Sequence, residues 1–141
     1  MQGFVCKVCK FVAIDAEAPD KCPVCSADKT AFENKLEAIN TPEDATGLNE
    51  KEKKHIPVII VPEGCQDAYI KVKVGEITHP MQDEHHIVHI DLYLEKRFLG
   101  RMMLSPSLNP AAGFHLKPGA GEISCVELCN LHGAWINTCR I

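Results

Sequence analysis

From Ile56 to the end of the chain, apolar and polar positions trade places with a period near two, as strands do, rather than with the helical period of 3.6. Pro57 to Val61 is a short unbroken apolar run, and with Pro62 it forms the longest apolar stretch of the chain, as a buried strand would read. Ala68 to Val74 alternates around Tyr69 to Lys73, and Ile87 to Leu94 alternates with His89, Asp91 and Tyr93 on one face. Phe98 to Leu104 and Ile123 to Leu128 add two more strands. Turn-forming clusters separate them at Pro62-Glu63-Gly64, Ser105 to Pro110 and Lys117 to Gly121. Short strands at regular spacing predict a β-sandwich. Ala38 to Glu50 is polar, contains Pro42 and Gly47, and reads as a linker or short ordered connection. Lys51 to Lys54 mixes charges as KEKK and reads as a solvated approach to the first strand. There is no internal repeat or low-complexity tract.

The first 37 residues follow a different logic. Cys6-x-x-Cys9 and Cys22-Pro-x-Cys25 stand twelve residues apart. Two such knuckles give four thiolates for one tetrahedral site, suited to zinc or a single iron. A disulfide or a lone redox Cys-x-x-Cys does not explain two matched pairs. Spacing alone favours a structural zinc ribbon. Phe4, Phe11 and Phe32 are nearly all the aromatic mass available here, so the metal would supply folding free energy directly.

Composition narrows the classes. A chain of 141 residues with 45% hydrophobic residues has room for one small unit and one medium one. The net charge of −4, without a long basic stretch, gives no support for nucleic-acid binding. No apolar run approaches membrane-spanning length, so no membrane partner is expected. Eight cysteines without a secretion signal point to metal ligation in a reducing cytoplasm.

A second ligand constellation lies in the β region. Cys129 and His132 form a Cys-x-x-His pair followed by Gly133, inside SCVELCNLHGAW. Alone the pair is a weak signal, because buried free cysteines are common. His55 in KHIP, and His79 and His85 in HPMQDEHHI, strengthen it. These three motifs, in this order and spacing over Glu50 to Ile141, resemble the catalytic domain of superoxide reductases, the family of neelaredoxin and desulfoferrodoxin. Separately, FVCKVCKFVAIDAEAPDKCPVCSADKTAFE is similar to the rubredoxin-like domain of rubrerythrins, which shifts the expectation for the first site from zinc toward iron, with zinc the alternative.

The resemblance implies a mainly β chain. It would have a rubredoxin-like metal-knuckle domain at residues 1–37, a linker at 38–50 and an immunoglobulin-like β-sandwich at 51–141. It further implies one iron on Cys6, Cys9, Cys22 and Cys25, a possible electron relay. A second iron would sit on four equatorial histidines, His55, His79, His85 and His132, with Cys129 axial and one position open. The activity implied is one-electron reduction of superoxide to hydrogen peroxide. Reduced rubredoxin or a similar protein would be the electron donor, and a homodimer is expected. Lys54, directly before His55, would be the catalytic lysine that draws in the anion. Lys10 and Ser26 replace the family's glycines after each knuckle, where a left-handed backbone aims amides at sulfur. Lys53 occupies the place of the family's ligating glutamate. Glu52, one residue earlier in a segment read as extended, would point away from the metal. His86 and His115 match no ligand position and are read as packing or surface residues; Cys65, Cys125 and Cys139 are read as ordinary thiols. His89 stands where the family commonly has tryptophan. The alternative class is an electron-transfer or small-ligand-sensing protein.

Overall fold

The computed structural model describes residues 1–14, 17–44, 46–62, 68–119 and 121–141. Cys65 and most of the Pro62-Glu63-Gly64 turn lie outside them. Ten strands and one α-helix follow in order: β1 (Gly3–Cys6), β2 (Val12–Ile14), β3 (Phe32–Lys35), α1 (Glu50–His55), β4 (Pro57–Ile60), β5 (Ala68–Val74), β6 (Ile87–Leu94), β7 (Arg97–Met103), β8 (Ala111–Leu116), β9 (Glu122–Cys129) and β10 (Gly133–Arg140). Among the described residues one 3₁₀ turn, Lys29–Ala31, precedes β3.

Three antiparallel sheets result, with strand orders β2-β1-β3, β10-β9-β6-β7 and β4-β5-β8. The last two form the sandwich. Ile70, Val72 and Val74 of β5 meet Ile90 and Leu92 of β6 and Ile123 and Cys125 of β9 in one buried cluster. The alternation in β6 places His89, Asp91 and Tyr93 on the opposite face, as the sequence pattern predicts. That face is not solvent. The N-terminal sheet covers it, burying Phe11, Val12 and Ile14 against Tyr93, Val126, Ala134 and Ile136. Phe11 stacks on Tyr93 at 6.2 Å and meets Phe98 edge-on at 5.2 Å, and the Tyr93 hydroxyl donates to the Val12 carbonyl at 2.8 Å. Such aromatic pairs contribute about 0.5–1.5 kcal/mol each beyond their buried area. The chain is therefore three layers deep, and the middle sheet is covered on both sides.

One segment differs from the sequence expectation. The KEKK stretch forms the helix α1 instead of an extended approach. Asn49 caps it: its side chain accepts from the Glu52 amide at 3.0 Å while Glu52 Oε2 accepts from the Asn49 amide at 2.8 Å, a reciprocal capping box. The segment after the knuckles, read as a linker or short ordered connection, packs on the sandwich through Ile39 and Asn40. Ile39 is buried in the cluster below Tyr93, and the Asn40 amide donates to the Ala134 carbonyl at 2.8 Å. β8 and β10 are strands that the pattern alone does not isolate. In β10, Ala134, Trp135 and Ile136 are buried in succession, so no simple in–out alternation marks it.

Candidate metal centres

The N-terminal centre is built by two similar turns. β1 delivers Cys6, and the chain reverses through Lys10, whose amide donates to the Cys6 carbonyl at 2.9 Å. The second knuckle repeats this with Ser26 and the Cys22 carbonyl, also at 2.9 Å. Lys10 and Ser26 adopt φ of 63° and 62°, the left-handed conformation that glycine tolerates best. Sγ of Cys6 lies 3.7 Å from that of Cys25, and Sγ of Cys9 lies 3.5 Å from that of Cys22. These separations are far beyond a disulfide bond of about 2.05 Å. They approach the edge, about 3.8 Å, of a tetrahedron with metal–sulfur bonds near 2.3 Å. Burial opposes the Cys6 thiolate, but the amides of Cys9 and Val8 hydrogen-bond to it and bring its pKa down to about 7. The four sulfurs fit a single iron or zinc. Lys10→Gly should remove the left-handed strain and stabilise this unit by about 0.5–1 kcal/mol. An upward shift of the denaturant midpoint of the four-thiolate absorption band would register it.

The second centre draws on four separate parts of the sandwich. His55 ends α1, His79 follows the turn after β5, His85 sits in the loop before β6, Cys129 ends β9, and His132 lies in the turn to β10. The ligand atoms of His55, His79, His85 and Cys129 all fall within 4.8 Å of one another. His132 joins them, its Nδ1 lying 3.1 Å from His55 Nε2 and 3.6 Å from Cys129 Sγ. The four rings stand at the corners of a square. Neighbouring centroids are 4.7, 4.6, 5.0 and 4.9 Å apart and the rings are steeply inclined, while the diagonal from His55 to His85 is 6.3 Å.

Backbone carbonyls fix the ring tautomers. His55 Nδ1–H donates to the Lys51 carbonyl at 2.6 Å, and His79 Nδ1–H to the Pro80 carbonyl at 2.7 Å. Each therefore turns an unprotonated Nε2 inward, and these two nitrogens lie only 3.2 Å apart. Two lone pairs at that distance repel unless a cation lies between them. The buried His85 Nε2 has no hydrogen-bond partner, which also fits a metal ligand. Burial, foremost, lowers the pKa of His55, His132 and His79, the last to about 4, so the imidazoles are neutral as ligation requires.

Other residues hold this frame: Asn130 and Trp135 stand inside the SCVELCNLHGAW motif, whereas no motif includes Asn40. Trp135 stacks on His55 at 5.2 Å and donates from Nε1 to the His132 carbonyl at 3.2 Å. Asn40 Nδ2 donates to the carbonyls of His132 and Ala134. Asn130 spans two loops, accepting from the His86 amide at 2.9 Å and donating to the Glu84 carbonyl at 3.0 Å, and so ties the His85 loop to the Cys129 turn. His86 bonds locally to the Gln82 carbonyl and His115 packs on Tyr69, both apart from the ligand cluster. Glu52 is committed elsewhere. Its Oε1 accepts from the Glu43 amide at 2.7 Å and its Oε2 serves the capping box, so its carboxylate is a structural acceptor.

The desulfoferrodoxin family profile matches residues 47–138. The chain belongs to the desulfoferrodoxin family. A second profile, the rubredoxin-like domain of rubrerythrin, matches residues 4–33 and covers the four-cysteine knuckles. A desulfoferrodoxin from Desulfarculus baarsii is 32% identical over 96% of this chain and 94% of its own. One from Syntrophotalea carbinolica is 42% identical over 59% of this chain, and that match spans 60% of the relative's length. Among solved structures, the superoxide reductase of Treponema pallidum overlays with a TM-score of 0.61 at 27% identity, covering 97% of this chain and 98% of that one. The neelaredoxin-type superoxide reductase of Ignicoccus hospitalis gives 0.60 at 34% identity, over 74% and 94%. This desulfoferrodoxin-family chain thus carries an enzyme fold of oxidoreductases with two groups suited to iron.

Proposed function

We propose that the chain is a superoxide reductase, O₂•⁻ + e⁻ + 2H⁺ → H₂O₂, working at His55, His79, His85, His132 and Cys129. The observation that carries this reading is the square of four inward-facing imidazoles with a cysteine sulfur 3.6 Å from His132 Nδ1. Ferrous iron held there supplies the single electron when bound, and an anionic sulfur ligand raises its electron density. The chain's own residues hold His55, His79 and His132 neutral by burial, fix the tautomers of His55 and His79 through the Lys51 and Pro80 carbonyls, and bury the cysteine. A purified, iron-loaded and pre-reduced protein should be oxidised rapidly by a superoxide pulse and only slowly by dioxygen. Indifference to superoxide would refute the reading.

The anion needs positive charge near the site, a role we assign to two lysines of α1. Lys54 adjoins His55 and is the lysine assigned by resemblance. Lys51, one turn earlier, sets its ammonium 5.6 Å from the Trp135 ring centre, on the aromatic that stacks against His55. Its charge is felt at Cys129, His55 and His132. Lys51 is exposed, as the sequence reading expects, and the helix also sets it beside Trp135. We assign the attraction to both lysines. Lys51→Ala and Lys54→Ala should each slow the bimolecular reaction with superoxide about threefold and flatten its dependence on ionic strength. Lys71→Ala on β5 should leave both unchanged. Stopped-flow or pulse-radiolysis rates across salt concentration decide this, and an inert Lys51→Ala would return the role to Lys54 alone.

The remaining assignments follow from surface and composition. A rubredoxin-like one-electron donor is assigned to the face of the four-cysteine knuckles, where Val8 is 67% exposed between Cys6 and Cys9. β7 ends its sheet and carries the exposed Met102 and Met103, an apolar edge suited to a homodimer. No helix among the described residues is long and apolar enough to cross a membrane. None of the seven cysteines among the described residues is in a disulfide, which suits the reducing cytoplasm of an anaerobe.

A further inference from the structure

We infer that the buried Asp91–Arg101 pair sets the reduction potential of the N-terminal four-cysteine centre, an inference that rests on that centre holding iron. Arg101 reaches from β7 across the boundary between the middle sheet and the knuckles. Its Nη1 donates to the carbonyl of the ligand residue Cys9 at 2.8 Å. Its Nε and Nη2 clamp the two carboxylate oxygens of Asp91 at 2.6 and 2.7 Å. The side chains are 7% and 1% exposed, so solvent and salt screen the pair weakly. Burial opposes the Arg101 charge, but the hydrogen bonds and charge of Asp91 outweigh it and hold the guanidinium protonated. His89 Nε2 lies 3.7 Å from Asp91; burial and then the Arg101 charge lower its pKa to about 3, so it stays neutral and adds no second cation.

The pair is therefore a fixed dipole with its positive end on Cys9 and its negative end behind it. Reducing a four-thiolate iron adds one negative charge to the centre, and a nearby unscreened cation favours that product. A structural clamp alone would not require this orientation. The Tyr93–Val12 bond and the Phe11 cluster already hold the same two layers together.

Redox titration of the full-length protein, followed by the absorption of the four-thiolate iron, reads the effect with no contribution from turnover. Arg101→Met should lower the potential by at least a tenfold change in the reduction equilibrium, about 59 mV for one electron. Asp91→Asn should raise it, because the cation loses its counter-charge. Arg101→Lys should lie closest to the wild type. Arg101→Met leaves Asp91 buried and unpaired and can fail to fold. The Asp91→Asn, Arg101→Met double variant avoids that unpaired charge and should still fall below the wild type, since the nearer charge is lost with the farther one. In every variant the pre-reduced catalytic centre should react with superoxide at the wild-type rate. A fall with Arg101→Met and a rise with Asp91→Asn, or a lowered double variant where Arg101→Met does not fold, support the inference; the reverse pair of shifts overturns it. An unmoved potential, or shifts of the same sign in both single variants, overturns it alone. Purified protein whose four-cysteine site takes only zinc overturns it together with the iron assignment.

Discussion

Replacing Cys129 by serine should remove the sulfur-to-iron charge-transfer band and lower superoxide reduction by about 100-fold or more, since even outer-shell partners of metal ligands are worth 10–100-fold. Serine keeps the shape but offers a harder, weaker donor that stays protonated near neutral pH. The rest of the frame should survive. Cys129 is held by the antiparallel pairing of β9 with β6 and β10, and the His85 loop is tied down by Asn130 rather than by the sulfur. The spectrum of the N-terminal centre should be unchanged, because that centre is assembled from residues 6–25 and its surrounding cluster does not use the Cys129 side chain. Optical spectra and the superoxide reaction of the same sample check both halves. Near-normal activity would remove Cys129 from the ligand set.

The second large effect belongs to a residue without chemistry of its own. Gly75, at φ +83°, follows β5 where the chain turns toward His79. A Cβ there would stand 2.3 Å from the Ile77 carbonyl oxygen, 2.7 Å from that of Lys54 and 2.8 Å from that of Lys53. All three are backbone atoms, so no side chain can swing aside. The Gly75 amide donates to Ile56 and the Ile77 amide to Lys53, which joins this turn to the C-terminal end of α1. A methyl group must therefore separate the helix carrying His55 from the turn carrying His79, whose facing nitrogens are 3.2 Å apart. Gly75→Ala should cost about 2–4 kcal/mol in stability, as backbone strain and steric conflict combine. Iron content at the histidine centre should fall well below that of the N-terminal centre. Metal analysis of the purified variant measures this, and full occupancy of both centres would contradict the packing described.

The candidate ligands of the histidine centre are legible through the family resemblance carried by KHIP, HPMQDEHHI and CNLHG, since spacing alone leaves Cys129 and His132 a weak signal. The N-terminal knuckles are legible from their own spacing, and the left-handed turns at Lys10 and Ser26 follow from where glycine would stand. What escapes is set by partners distant in sequence. His89, Asp91 and Tyr93 do share one face of β6, but what covers that face comes from residues 11–14, some 80 positions earlier, and no local signal announces it. Arg101 reads as one polar position in a strand until Cys9 and Asp91 are seen on either side of it. The helix α1 is a different case. Asn49 and Glu52 stand at capping-box spacing, but a charged six-residue stretch beside a strand reads as extended. That reading hides Lys51, whose distance from the site depends on a helical turn. It also gives a mistaken reason for excluding Glu52, which is held off the metal by two backbone amides rather than by strand alternation.

The most direct measurement is the peroxide yield. A reductase consumes one external electron and forms one hydrogen peroxide for every superoxide removed, with no dioxygen released. A dismutase forms half as much peroxide and returns the other half as dioxygen. The pre-reduced protein, supplied with a one-electron donor and a known dose of superoxide, should give one peroxide per superoxide. A yield of one half with matching dioxygen would contradict the account.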